Sequence, residues 1–443
     1  VRLLERLDAY NQRGRISLMK KTHNVKMLLR AGALLAVAVT GGNLSKAQAC
    51  SATWTGNAGD GAWTTAGNWS PRRVPDPTSD VCIPLLTTAN ATPPISIHSL
   101  QISQGGLLII ESGKASASFS VATSLINQGG IELYGAALSA GSIEMTDPSN
   151  FGNISAYSSS NPNTSTITSP AFSNTTGTVY VGAGVTLRLT DNPVQLQNGT
   201  LSGGNWQVDD TGLLIIPSDI SQIAGGPEGA YYTVLSIISG GSLQDTSGNN
   251  PLATLTSVGS FTVLDVPSLT LADLTCQGSF NVASLKVTGT FTLESGCSAG
   301  AGSLTVSGTL TVPSGATASV GSLLSATSVL VESGGRLSAG GTVQCSITNN
   351  GTVSPGLLTV IGNYSQAADA ALTESFGNYS TLNVKHSATL SGALNITVNP
   401  KHPPASGARY TALTAGSLNG SFTSHTAGFT LTTSATSVLV TKQ

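Results

Sequence analysis

Between residues 285 and 340 this chain repeats itself every nineteen residues. Glu294-Ser295-Gly296, Pro313-Ser314-Gly315 and Glu332-Ser333-Gly334 each close a short run of alternating apolar residues. A fixed period near twenty leaves few architectures open, because each unit has an apolar face that only a stacked neighbour can cover. The same phrase recurs with variation as GGLLIIESG from Gly105, GTVYVGAG from Gly177, GTFTLESG from Gly289 and GTLTVPSG from Gly308. The expectation is an all-β chain wound into a β-solenoid. Both ends need capping, since open coil ends would otherwise pair with other chains.

Composition agrees with strands and tight turns: 9% of residues are charged, 5% are aromatic and 51 are Gly. So little charge also suits a disordered chain, but disorder goes with few β-branched residues. Here Val, Leu, Ile and Thr alternate at period two, as in SLTVSGTLTV from Ser303, which sends one set inward and the other outward.

The N-terminal part reads as export machinery. Met19-Lys20-Lys21, Lys26 and Arg30 precede an apolar run from Ala31 to Val39, and Ala47-Gln48-Ala49 precedes Cys50. A basic start, a short apolar core and an A-x-A site make residues 19–49 a cleaved signal peptide. The run is shorter than the ~20 residues that span a bilayer, so the chain is not expected to be membrane-spanning. Residues 1–18 stand upstream of Met19 and read as leader sequence outside the fold.

Without residues 1–49 the chain keeps ten basic and nineteen acidic residues, a formal charge of −9. That sign and the scatter of the cations argue against nucleic acid as a partner. Export to an oxidising compartment permits disulfides. Cys50 and Cys82 are the expected pair, tying the new N-terminus to the end of a Trp-rich segment. Cys276 and Cys297, 21 residues apart on adjacent coils, either pair or pack as small apolar residues, and with Cys345 the count is odd.

Three regions follow the signal: a Trp-rich cap over 50–94, repeats over 95–350, and a β-rich C-terminal cap over 351–443. Two stretches interrupt the repeat phrase and are expected to loop out: 146–176, with SSSNPNTSTITS, and 217–252, with GGPEGAYY and QDTSGNN.

Residues Trp54, Gly56, Gly59, Gly61, Trp63, Asn68-Trp69, Val74-Pro75 and Asp80-Val81 follow the pattern W-x-G-x-x-G-x-G-x-W, N-W, V-P, D-x-V. This resembles the N-terminal signature of bacterial surface proteins with β-strand repeats. NNGTVSPG from Asn349, LLTVIGNYSQ from Leu357, STLNVKHSATLSGALNITV from Ser380 and YTALTAGSLNGSF from Tyr410 are similar to the end of autotransporter-like passenger regions. Together these cover about 130 residues at the two ends, and the middle matches only in periodicity. The resemblance implies a right-handed parallel β-helix, secreted or displayed on a bacterial cell surface, and no defined reaction. Autotransporters continue into a membrane barrel of alternating strands, which is not expected of a chain reaching Gln443 by this route.

Parallel β-helices also include polysaccharide-degrading enzymes, which need two placed carboxyl groups. The best candidates are Asp209-Asp210, with Asp219 nearby. The Gly-His-Gly and Arg-Ile-Lys elements of polygalacturonase-type enzymes are missing, and paired Asp at a turn commonly hydrogen-bonds its own backbone. His98, His386, His402 and His425 lack metal spacing, and Asp60, Asp76 and Asp80 do not form a D-x-D-x-D-G loop. No catalytic centre, cofactor or metal is expected.

For binding, Trp54, Trp63 and Trp69 offer flat faces for sugar rings, with Asp60 or Asp80 accepting hydroxyl hydrogen bonds. The competing reading has the three indoles packed over the first coil. The sequence thus points to a secreted structural or adhesive solenoid whose partner is a surface polysaccharide or a host or neighbour cell-surface protein. A carbohydrate-binding or carbohydrate-degrading β-helix is the alternative. An outward stack of aromatics or acids on successive coils would favour it, and the repeats instead present Ser and Thr.

Overall fold

The computed structural model describes residues 49–112, 118–145, 152–158, 163–226, 232–238, 240–376 and 381–443. Ala49–Gln443 forms a compact unit of its own. The expected leader 1–18 and the signal peptide through residue 48 lie outside the described residues.

Strands here pair in parallel with the strand one coil away. Gly130–Tyr134 lies between Leu107–Glu111 and Asn153–Tyr157, and Ser279–Val287, Ser298–Val306, Thr317–Ser325 and Arg336–Val343 stack the same way. In the second group Ser279, Ser298, Thr317 and Arg336 stand opposite one another, so the nineteen-residue period is the length of one coil. Parallel neighbours always need a long connection, and here the rest of the coil supplies it. The chain is therefore an all-β parallel β-helix. Antiparallel pairs among the described residues are few. Ala52–Trp54 pairs with Trp69–Ser70, Leu196–Gln197 with Thr200–Ser202, and both Arg409–Gly420 and Phe429–Thr433 with Ser437–Lys442.

Alternation sorts the side chains. In Ser279–Val287, Phe280, Val282, Leu285 and Val287 are buried, while Asn281, Ser284 and Lys286 face out. Buried neighbours in successive coils differ in size: Phe280 stands over Ala299, and Ala299 over Ala318. A large side chain above small ones fills the narrow interior without overpacking it.

The repeated turn has a steric reason. Gly296, Gly315 and Gly334 adopt φ of +91°, +78° and +81°, and their backbones link coil to coil, Gly296 N–H to Gly315 O at 3.1 Å and Gly315 N–H to Gly334 O at 3.2 Å. A Cβ on Gly315 would lie 2.5 Å from the Ser295 hydroxyl. Gly315→Ala is therefore expected to lower stability by about 1–3 kcal/mol through left-handed strain and this clash. Thermal unfolding checks it, and an unchanged midpoint would refute the stacking account.

Polar residues also enter the interior where the phrase ends. Buried Asn349 donates to the Tyr364 hydroxyl at 3.1 Å and to Ala371 O at 3.0 Å, Tyr364 donates to Gln366 Oε1 at 2.7 Å, and Gln366 donates to Ser391 O at 2.8 Å and Ala393 O at 3.0 Å. Each donor in the chain finds an acceptor, so the network links successive turns at low desolvation cost.

Both segments expected to loop out carry coil strands. The first holds Asn153–Tyr157, Thr164–Thr168 and Phe172–Ser173, and the second Gln222–Ala224, Thr233–Ile237 and Ser242–Gln244. Parts of both, residues 146–151, 159–162, 227–231 and 239, lie outside the described residues. The expectation failed because a short strand needs only one or two inward apolar residues, such as Ile154 with Ala156, and its outward residues are polar anyway.

Cys50 pairs with Cys82 and Cys276 with Cys297, at Cα separations of 5.8 Å and 5.6 Å, and Cys345 is free and buried. Such disulfides belong to an oxidising, non-cytoplasmic environment. No helix among the described residues is long and apolar enough to cross a membrane.

Candidate functional site

Trp54, Trp63 and Trp69 are each 1% exposed. Trp69 meets Trp54 edge-to-face at 4.9 Å and Trp63 at 4.6 Å, and Trp63 meets Phe119 at 5.2 Å. The Trp69 indole donates to the Trp63 carbonyl at 2.7 Å. Sugar stacking on these three residues is thus corrected: their faces are covered by one another and by Phe119, which belongs to the strand Ser118–Asn127.

The two acids expected to serve them are also engaged. Asp60 accepts from the Thr65 hydroxyl at 2.6 Å, the Ala62 N–H at 3.0 Å and the Asn68 amide at 2.6 Å, and these bonds hold its carboxyl below the ordinary value. Asp80 accepts from Ser99 at 2.5 Å and pairs with His98 Nδ1 at 2.8 Å. Both carboxylates thus brace the segment's own loops, with Asp60 exposed and Asp80 half-buried. No group of three or more His, Cys, Asp or Glu among the described residues is placed to hold a metal ion.

A different face has the geometry of a binding surface. The strands Leu107–Glu111, Gly130–Tyr134, Asn153–Tyr157, Thr178–Val181 and Asn205–Val208 stack in parallel on five successive coils. Leu108, Ile110, Ile131, Leu133, Ile154, Ala156, Val179 and Val181 point inward and are buried, which forces the alternate residues outward. One outward row reads Glu132, Ser155, Tyr180, Gln207, and the next reads Glu111, Tyr134, Tyr157. Tyr134 and Tyr157 stack at 5.6 Å with planes 29° apart, and Tyr157 meets Tyr180 at 5.7 Å and 50°. The next coil has Gly182 beside Tyr157, and a Cβ there would lie 3.5 Å from the Tyr157 ring and 3.6 Å from the Tyr180 ring. This glycine leaves the rings room to meet although Tyr180 sits one row over.

Carboxylates fix the two outer rings. Tyr134 donates to Glu132 at 3.0 Å, and Tyr180 donates to Asp209, which also accepts from the Gln207 amide at 3.0 Å. Burial first, and then the hydrogen bond to Glu132, pushes the Tyr134 hydroxyl up to about 12. Burial and Asp209 raise Tyr180 likewise. Both hydroxyls therefore stay protonated donors in any ordinary buffer. Asp209, the best catalytic candidate from sequence, is occupied by these two donors, while Asp210 and Asp219 are exposed.

Beside the rings runs a groove of about 260 Å³, with Leu107, Gly130, Glu132, Asn153, Ser155 and Tyr157 among its walls. Sequence reasoning missed this face because its central strand lies in the stretch expected to loop out. A signal was present: Tyr134, Tyr157 and Tyr180 recur every 23 residues, which is the length of the coil from Gly130 to Asn153 and two residues short of the next, so Tyr180 stands one row over.

Comparison with protein-family models, with curated proteins and with solved structures found no match to this chain.

Proposed function

We propose that this protein is a secreted, surface-displayed adhesive β-solenoid that holds polysaccharide on its tyrosine face, with the Trp-rich and C-terminal β segments capping the coils. The observation that carries the reading is the outward cluster of Tyr134, Tyr157 and Tyr180, spread over two adjacent rows with ring centroids 5.6 Å and 5.7 Å apart. Aromatic rings give sugars a flat apolar surface, and the Glu132, Gln207 and Asp209 groups around them supply directed acceptors and donors. A rigid sheet presents both at fixed spacing, so little order has to be gained on binding. The disulfides support an extracellular setting.

Tyr157 is the central ring, and among the described residues its hydroxyl makes no hydrogen bond. Tyr157→Ala is expected to weaken polysaccharide retention about tenfold or more while leaving circular dichroism unchanged. Affinity electrophoresis in gels containing polysaccharide measures it. Retention equal to that of the parent protein would remove the tyrosine face from the function.

A further inference from the structure

Resting on that reading, we infer that the polysaccharide has a second anchor, the exposed aromatic pair Tyr232 and Phe261, and is therefore a chain long enough to cross this sheet obliquely from the tyrosine face. Phe261 is 52% exposed and Tyr232 50% exposed, and their rings meet edge-to-face at 6.0 Å. Phe261 also holds a φ of +58°. Glycine takes such a left-handed backbone at Gly296, Gly315 and Gly334 because it has no Cβ to strain, whereas a bulky side chain there is an outlier. An apolar ring standing half in water gains little from burial, so packing does not account for a phenylalanine at this strained position. Strained backbone of this kind gathers at ligand contacts.

The pair shares a sheet with the tyrosines. Tyr180 stands opposite Gln207 and Gln207 opposite Ser236, while Thr233 pairs with Thr262, which sets Tyr232 beside Phe261 where their strands begin. Thr233, Leu235 and Ile237 are buried, so Tyr232, Val234 and Ser236 face out together. Tyr232 is two coils on from Tyr180 and four residues to one side, ~10 Å along the stack and ~13 Å along the strand at ~4.8 Å per coil and ~3.3 Å per residue. Between the two aromatic groups lie the outward side chains of Asn205, Gln207, Val234 and Ser236, and their amides and hydroxyl can donate to and accept from sugar hydroxyls. Ring faces at both ends of a largely polar strip suit a sugar chain, whose rings carry apolar faces and hydroxyl-bearing edges. A chain held at two places gains further, because the second contact forms at high local concentration once the first has formed.

Native gels containing hydroxyethylcellulose, xylan, alginate or polygalacturonate test this with the full chain, comparing parent protein with Tyr157→Ala, Tyr232→Ala and Phe261→Gly. Phe261→Gly removes the ring and leaves a residue suited to the left-handed backbone, so its thermal midpoint should equal or exceed that of the parent. The expected result is that a polymer retarding the parent retards each of the three variants at least about tenfold more weakly, with the Phe261→Gly midpoint not lowered. Weakening in Tyr157→Ala alone, with Tyr232→Ala and Phe261→Gly binding like the parent, would overturn the second anchor and leave the tyrosine face standing. A lowered midpoint in Phe261→Gly together with parent-like retention of Tyr232→Ala would also overturn it, by making the pair a packing element. Weakening in Tyr232→Ala and Phe261→Gly with Tyr157→Ala unchanged would overturn a chain that starts on the tyrosine face. No retardation by any polymer would overturn the underlying reading itself.

Discussion

Raising the pH from 4.5 to about 9 is expected to destabilise the C-terminal coils steeply, and Glu374→Gln is expected to abolish that loss. Glu374 lies on Ala371–Phe376, paired with Ala393–Val398, and is 1% exposed. Neither carboxyl oxygen makes a well-formed hydrogen bond, and Phe376, Tyr410 and Phe429 cluster on the same side of the fold, with ring contacts of 4.6 Å and 5.8 Å. Burial raises the carboxyl from 4.5 to about 9, an effect only partly offset by the Tyr410 hydroxyl. Below pH 4.5 the group is protonated in folded and unfolded chains alike, and the stabilisation is complete. Above it the unfolded chain releases the proton while the folded chain keeps it, so stability falls until the folded group also titrates near 9. Each tenfold in proton affinity is worth about 1.4 kcal/mol, so the whole window from 4.5 to about 9 amounts to something on the order of 6 kcal/mol. The denaturation midpoint of the parent minus that of Glu374→Gln, measured across this range, isolates the effect. A difference that does not change with pH would mean that Glu374 ionises as freely as it would in water.

Trp69→Ala should cost about 3–5 kcal/mol, concentrated at the N-terminal end. The substitution removes both edge-to-face contacts and the hydrogen bond to the Trp63 carbonyl, and it uncovers Trp54 and Trp63. In a stacked fold each coil touches only its neighbours, so damage should stay local. Hydrogen exchange is expected to show Ala52–Trp54 and Asp80–Ile83 losing protection while Thr317–Ser325 and Arg336–Val343 retain theirs. Uniform loss along the chain would contradict the local account, and no loss would show that the indoles do not hold the segment. This assigns the tryptophans to stability, and the polysaccharide retention attributed to the tyrosine face should survive in any Trp69→Ala protein that stays folded.

The parallel β-helix was legible in particular residues. Glu294, Pro313 and Glu332 mark a period that became the coil length, and alternation in Ser279–Val287 fixed which side chains turn inward. The Cys50–Cys82 pair was equally readable, while Cys276–Cys297 stayed open until the register of adjacent coils brought their Cα atoms to 5.6 Å. The tyrosine face was not legible, because its rings come from strands 23 and 25 residues apart and one strand was hidden in polar sequence. The groove wall brings together Leu107, Gly130 and Asn153 from three coils, and that is a matter of register.

By itself, then, the sequence determined the coil period, the inward residues and the positions of the glycine turns, since all of these are short-range consequences of chain geometry and apolar burial. Only the tertiary structure decided which outward residues become neighbours. A strand sets the spacing of its own side chains, but stacking sets the row in which each meets the next coil. That is why Tyr134, Tyr157 and Tyr180 form one surface while Trp54, Trp63 and Trp69, closer in sequence and larger, are buried inside.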